Sequence, residues 1–545
     1  MVKGVGRIRS VKKLIVLIVV SVVLIGNGQA LAQTESSKFI VIHLDGISRE
    51  DFLIEMEAGN LPNLERTFKN EGLIEHAITY FPGMTQIVIP RIREARSSSQ
   101  GRPVDWGGYK RDEEKTRSKR QVFFDMGSSM SRRGRSNLIY GVPLLDQLAG
   151  PALVNLADLV DDYDTLEFYW FSTDTYGHTF GQEALYGKLR KFDKYFGKLA
   201  DRLDEDVNIV IYSDHGMTFG EGVNPKDDVK EIVGDDLIKY SYPNLYLSAT
   251  ENKDNLAQRL IAETEINYTF LRANDQQIIG YHNQGQVSFK KRDGAIKYDY
   301  QGQDPFGYYK QGYTGQYLTT DQWLELTYDL EYPLTPVNIY TFLKNPKVGE
   351  ILTVVDDEKF IAEGYVRKGN HSGMTATDLT VPLFLKGPNL EHLYERDYIW
   401  LPKLFAEIED VNFDNPEPER EKNYLSYWHS FEGEGSQGTK ISLSPAYRWR
   451  LGARITEQDQ HQAWAKYDLF SSYLSRLWVG GGVDVVDSEA DPTGKLRYDL
   501  RYKNLLTSYV NSSREDARFK LGYQLNSDLT LQVVDFETIG TRIEW

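Results

Sequence analysis

The chain of 545 residues contains no cysteine. Disulfides therefore add nothing to its stability, and thiolate metal sites and cysteine nucleophiles are excluded. It also lacks a surplus of positive charge. Sixty-three Lys and Arg stand against 79 Asp and Glu, a formal net charge of −16. That balance favours solubility and argues against a general nucleic-acid binder. Long apolar runs are scarce as well. The run at the N-terminus, Leu14 to Gly26 (LIVLIVVSVVLIG), is short for a membrane-spanning helix. It follows a basic stretch (Lys3, Arg7, Arg9, Lys12 and Lys13) and precedes Ala30-Leu31-Ala32, a small-x-small cleavage pattern. Residues 1–32 thus read as a signal peptide, which leaves Gln33 first in the mature chain. An exported chain without disulfides fits a bacterial envelope protein that relies on the size of its core. The expected location is the periplasm or the exterior, with outer-membrane anchoring as the alternative.

With 41% hydrophobic and 26% charged residues, the composition is globular, and the length exceeds one ordinary domain. FIVIHL, EFYWFS, NIVIYS and VPLFLK are continuous apolar runs without polar alternation, as in parallel strands covered on both faces. Helix-like segments lie between them: LPNLERTFKNEG, PALVNLADLVDD and LYGKLRKFDKYFGKLADRLDED. The alternation predicts an α/β fold, a mainly parallel sheet sandwiched by helices. Its core would comprise residues 33–216 and 371–437. Two insertions interrupt it. Residues 91–136 are densely basic and read either as a solvated loop or as a positive rim attracting an anionic substrate. Residues 217–370 read as an α+β cap, with a hairpin turning at Asp293-Gly294 in VSFKKRDGAIKYDY. From 438 to 545 the pattern changes to period two, as in ISLSPAYRWRLGARI, KLRYDLRYK and RFKLGYQL, and the chain ends on Trp545. This predicts six to eight antiparallel strands. They form either a soluble β-sandwich or half-barrel, or an eight-stranded outer-membrane barrel.

Metal-ligand side chains fall in four clusters beside the apolar runs: Asp45 in FIVIHLDG, Asp174 and His178 in FYWFSTDTYGH, Asp214 and His215 in VNIVIYSDHG, and His371 in GNHSG. Thr85 in YFPGMT sits between the first two. One Asp after a strand is ordinarily a turn or helix cap. Three in one chain, each following such a run, point instead to the carboxyl edge of a sheet, where α/β chemistry collects. Three Asp and three His suffice for two divalent ions, and Asp with neutral His suits zinc or a similar ion. Two ions about 4 Å apart can clamp both oxygens of an in-line displacement. A threonine hydroxyl needs such help, because its pKa is too high for attack at neutral pH. A backbone N–H of the Gly83-Met84-Thr85 turn is placed to help hold the transferred anion. His43, His76, His282 and His429 lack partner spacing and read as ordinary core or surface residues. Asp161, Asp162 and Asp164 read as a solvated helix end.

The ordered set Asp-Gly, FP-x-x-T, D-x-x-x-H, DHG and a late H-S-G leading into VPLFLKGP resembles the alkaline phosphatase superfamily, in its type I phosphodiesterase/nucleotide pyrophosphatase branch. The resemblance spans about residues 38–390. It implies that Asp45, Thr85, Asp214 and His215 bind one ion and that Asp174, His178 and His371 bind the other. It implies further that Thr85 forms a covalent phospho-enzyme. Two departures stand out: His371-Ser372-Gly373 where relatives have His-Gly, and the basic segment where relatives carry a phosphate-contacting Asn. Arg91 or Arg93 is a candidate replacement for that contact. Thr85-Gln86-Ile87 does not fit the C/S-x-P-x-R motif of the related sulfatases. The implied activity is hydrolysis of a small or envelope-derived phosphorylated substrate. Two alternatives stand beside it: phosphotransfer to an envelope lipid or glycan, and a non-catalytic envelope role for the β domain, with residues 438–545 touching the outer membrane.

Overall fold

The structure, a computed structural model, describes residues 37–94, 104–105, 109–110, 115–116, 135–136, 146–160, 164–249, 251–355, 358–362, 367–411, 413 and the strands between 424 and 544. Most of the basic segment 91–136, the signal sequence and Asp161-Asp162 lie outside the described residues. Asp164, by contrast, is described, and it pairs with Lys38 at 3.5 Å.

The core is a seven-stranded sheet. Its strands are β1 (Phe39–Leu44), β2 (Leu73–Ile78), β3 (Thr165–Trp170), β4 (Asn208–Tyr212), β5 (Thr380–Lys386), β6 (Tyr398–Trp400) and a short Arg135–Ser136 strand. The spatial order is β6-β2-β5-β4-β1-β3-(Arg135–Ser136). Every position of β1, β3 and β4 is buried, which explains sequences that are apolar apart from His43, Thr165, Glu167 and Asn208. The parallel expectation fails for VPLFLK alone: β5 is antiparallel to both β4 and β2. A strand buried on both faces is apolar whichever way it runs, so its composition reports burial and not direction.

Four helices matter to the site: α1 (Arg49–Glu57), α2 (Thr85–Ile92), α3 (Ser172–Phe180) and α4 (Gln182–Ala200). In α4, Leu185, Leu189, Phe192, Phe196 and Leu199 recur at helical spacing and are all buried. Phe192 meets Trp170 edge-on at 5.4 Å, and Phe196 stacks on Phe68 at 5.6 Å. Each such side chain contributes roughly 2 kcal/mol by leaving water. The segment PALVNLADLVDD does not stay α-helical: a helix over Ala149–Val154 passes into a 3-10 turn over Asn155–Asp158.

The 217–370 insertion builds a second seven-stranded sheet, flanked by the Lys253–Glu263 helix. All its strand pairs are antiparallel. Its expected hairpin pairs Arg292 with Ala295 around Asp293 (φ 51°) and Gly294 (φ 83°), the two positive angles of a tight hairpin turn.

The C-terminal region departs from expectation in size, while its closure agrees with the barrel alternative. It is a closed antiparallel barrel of ten strands, neither a half-barrel nor an eight-stranded ring. It starts at Tyr424 rather than 438, because the first strand, Tyr424–Ser430, pairs with the last, Thr538–Glu544. Among the described residues, no helix is long and apolar enough to cross a membrane.

Candidate metal centre

The strand register brings the distant clusters together. His43 lies beside Tyr169 on β3 and Tyr212 on β4, so all three strands end at one level. Asp45 follows β1 directly, and its N–H donates to Trp170 O at 3.1 Å. Asp214 follows β4, and Thr79 at the end of β2 donates its hydroxyl to Asp214 O at 2.6 Å. Asp174 and His178 sit one turn apart on α3, with Nε2 of the histidine 3.1 Å from Asp174 Oδ1. Gly46 has φ +73°, and a Cβ there would stand 3.0 Å from Asp174 Cβ, so only glycine lets β1 end so close to α3. Thr85 opens α2. Its hydroxyl lies 3.5 Å from Asp45 Oδ1 and 3.3 Å from His215 Nε2.

Three histidines are held by one device. Nδ1 of His178 donates to Gly369 O at 2.8 Å, Nδ1 of His215 to Gly216 O at 2.9 Å, and Nδ1 of His371 to Gly83 O at 2.5 Å. A carbonyl can only accept, so each Nδ1 carries the hydrogen and each Nε2 turns a lone pair toward the carboxylates. His215 Nε2 is 3.2 Å from Asp214 Oδ2 and 3.5 Å from Asp45 Oδ1, and His371 Nε2 is 3.5 Å from Asp174 Oδ1. Asp174 Oδ1 and Asp214 Oδ2 are buried without a hydrogen-bond partner. Lone pairs and carboxylate oxygens facing each other in a dry pocket repel unless a cation lies between them. The donor set therefore fits divalent metal ions.

Electrostatics carry the same message. Burial, then the charges of Asp214 and Asp174, pushes the Asp45 carboxyl well above its ordinary range. Burial and then His215 hold His371 well below the usual imidazole value, so its lone pair is available at neutral pH.

Residues 103–374 match the family model for type I phosphodiesterase / nucleotide pyrophosphatase. The chain belongs to this family, a group of phosphoester hydrolases. The matched stretch contains Asp174, His178, Asp214, His215 and His371. Solved structures similar to the chain include murine ectonucleotide pyrophosphatase / phosphodiesterase 5, at 14% identity over 68% of this chain and 93% of that one, with a TM-score of 0.42. The alkaline phosphatase PafA is 11% identical over 69% and 96%, with a TM-score of 0.42. Phosphonoacetate hydrolase from Sinorhizobium meliloti 1021 is 13% identical over 71% and 98%, with a TM-score of 0.37. No curated protein matches the chain.

Against the superfamily pattern, all seven expected side chains converge, but their grouping differs. Asp174, His215 and His371 offer ligand atoms within 4.8 Å of one another, as do His43, Asp45 and Asp214. His215 thus stands between the two expected groups. His43 is not an ordinary core residue. It is buried, its Nε2 lies 3.6 Å from Asp214 Oδ1 and 3.9 Å from Asp45 Oδ2, and neither ring nitrogen has a hydrogen-bond partner. Burial, helped by His215 and Arg93, lowers its pKa to about 4. Its place two residues before Asp45 on one strand face was the sequence signal. Arg93 is not free for an anion: it is buried, pairs with Glu167 at 3.2 Å and donates to Tyr169 Oη at 3.2 Å. Arg91 lies 3.6 Å from Glu94 and over the Tyr80 ring. Sequence reasoning also missed Asp378, a buried carboxylate that accepts from Thr218 Oγ1 at 2.9 Å and from the Gly373 N–H. It thereby braces the loop that carries His371.

Proposed function

We propose that the protein is an exported phosphoester hydrolase that uses two divalent ions, zinc or a similar metal, and Thr85 as its nucleophile. The observation that carries this reading is the cluster formed by Asp45, Asp174, Asp214, His178, His215 and His371, with the Thr85 hydroxyl at its border, 3.5 Å from Asp45 Oδ1 and 3.3 Å from His215 Nε2. Asp45, Asp214, His215 and Thr85 would hold one ion, and Asp174, His178 and His371 the other. When bound, such ions supply the charge that lowers the hydroxyl pKa and neutralises the phosphoryl oxygens.

Thr85 Oγ1 loses its proton and attacks phosphorus. The new Oγ1–P bond forms as the bond to the leaving oxygen breaks, and that oxygen takes up a proton. Water then cleaves the phosphothreonine, restores the hydroxyl and frees the phosphate product. Thr85 is the first residue of α2, so amides of the helix's first turn are available to a phosphoryl oxygen beside it. Asp378 holds the His371 loop, and the Nδ1 bonds fix the histidine rings, so the ligands need little rearrangement. Export rests on the signal-peptide pattern of residues 1–32.

Purified protein tests the proposal by turnover of aryl phosphate mono- and diesters together with elemental analysis. Two equivalents of zinc or a similar metal are expected, with the Thr85→Ala variant slower by on the order of 10³-fold or more. Full turnover by Thr85→Ala would overturn the nucleophile assignment.

A further inference from the structure

The barrel has the wrong polarity for a protein surrounded by water. Its described side chains divide by face along single strands. In His461–Ser471, Trp464 is 6% exposed and Lys466 is 7% exposed, while Ala463 between Gln462 and Trp464 is exposed. Ser442 and Ser508, on two other strands, are buried as well. The outward set is apolar: Leu451 is 46% exposed and Val483 41%. Together with Ala453, Ala463, Ala465 and Gly481 they line a shallow hollow on the outer wall. The inward set is polar. The ammonium groups of Lys440 and Lys466 lie 5.0 and 4.4 Å from the Trp464 ring centre. Gly452 leaves room for that ring, since a Cβ there would stand 2.0 Å from it.

The backbone register extends the division to neighbouring strands, since directly paired positions share a sheet face. Leu451 pairs with Ala465, and Ala463 with Ala453 and Val483, all in the outward set. Trp464 pairs with Gly452 and Gly482, which leave room for it inside. A water-soluble barrel reverses this arrangement, with apolar residues inside and polar residues outside.

We infer that the ten-stranded barrel is inserted in a lipid bilayer, with hydrocarbon as the occupant of its outer wall. Three observations converge on that occupant. Ring closure leaves no unpaired strand edge, the condition for sheet structure in hydrocarbon. The strand number is even and all neighbours are antiparallel, as in single-chain outer-membrane barrels. Four neighbouring or near-neighbouring strands, Gln437–Ala446, His461–Ser471, Ser475–Val486 and Glu489–Tyr502, run to 10, 11, 12 and 14 residues, against roughly 9–11 needed to span at a tilt, while the other six run to 6–8. The phosphoester hydrolase site would then be tethered to a membrane. This inference stands apart from the chemistry proposed above and survives its failure.

The full-length protein, purified in detergent and reconstituted into phosphatidylcholine–phosphatidylethanolamine vesicles, provides the test. It should float with the vesicles after a urea wash, and the unboiled protein should migrate faster on a gel than the boiled protein. Neighbouring substitutions of opposite face sharpen the result. Ala463→Lys should reduce the heat-modifiable form by tenfold or more, whereas Gln462→Lys should leave it within about twofold. Protein that stays monomeric and dispersed without detergent, or that forms a defined oligomer covering the outer wall, would overturn the inference. So would flotation that Ala463→Lys leaves intact while Gln462→Lys abolishes it.

Discussion

The core sheet and the barrel answer one physical demand in opposite ways. Both must satisfy every backbone N–H and C=O, and both do so by sheet pairing. The core sheet is wrapped in its own helices and buries apolar residues on both faces; it also buries the Arg93–Glu167 pair, while Asp and His side chains meet as a cluster at its carboxyl edge. The barrel keeps its described Lys and Ser side chains inside and turns Leu451, Val483 and Ala463 outward. The difference teaches that the surroundings of a sheet, rather than strand propensity, decide where charge goes. In the barrel, charge fills an interior.

The contrast can be broken by perturbing one region and watching the other. The largest effect is expected from Thr85→Ala, with turnover down by on the order of 10³-fold, about 4 kcal/mol of barrier, and the heat-modifiable gel shift unchanged. Chelation comes next. Removing ions present at a thousandfold excess over Kd costs the core about 4 kcal/mol, read as a lower melting temperature, while the gel shift again stays. A chelator that unfolds both regions at once would show that they form a single cooperative unit. Arg93→Ala should destabilise the core by about 3 kcal/mol in denaturant unfolding, because Glu167 is left charged and unpaired in a dry interior. Arg93→Lys should recover only part of the loss, since one ammonium cannot reach both Glu167 and Tyr169 in the same fork. The smallest effect is expected from His43→Ala. It removes a ring behind Asp45 and Asp214 without removing an expected ligand, so metal affinity should fall about tenfold, measured by competition with a chromogenic chelator.

The α/β core was legible from its apolar runs, and two of the candidate clusters were punctuated locally. At Asp174–His178 and Asp214–His215 an apolar run ends, an Asp follows, and a His comes four residues later or directly after; Asp45, Thr85 and His371 carry no such pairing and are joined to them only by the fold. What was not legible depended on neighbours distant in sequence. The approach of His43 to Asp214 exists only because β1 and β4 are adjacent in register. Arg93 looked available because Glu167, 74 residues away, gives no local sign of pairing with it. The direction of β5 was hidden because burial on both faces erases alternation. The barrel was readable as alternation, but its first strand, Tyr424–Ser430, has only 7 residues and carries too little alternation to stand out. Ring closure, a property of the whole, has no signature in any one strand.

That closure has a consequence for biosynthesis. The Tyr424–Ser430 strand is bonded to Thr538–Glu544, the last strand of the ring in chain order. A translation product that stops before that strand would carry two raw sheet edges, each a template for another chain. Quality control of this protein therefore bears on the ring's closing strand, and a nonsense lesion near residue 530 would act as an aggregation hazard even with every residue of the hydrolytic centre intact.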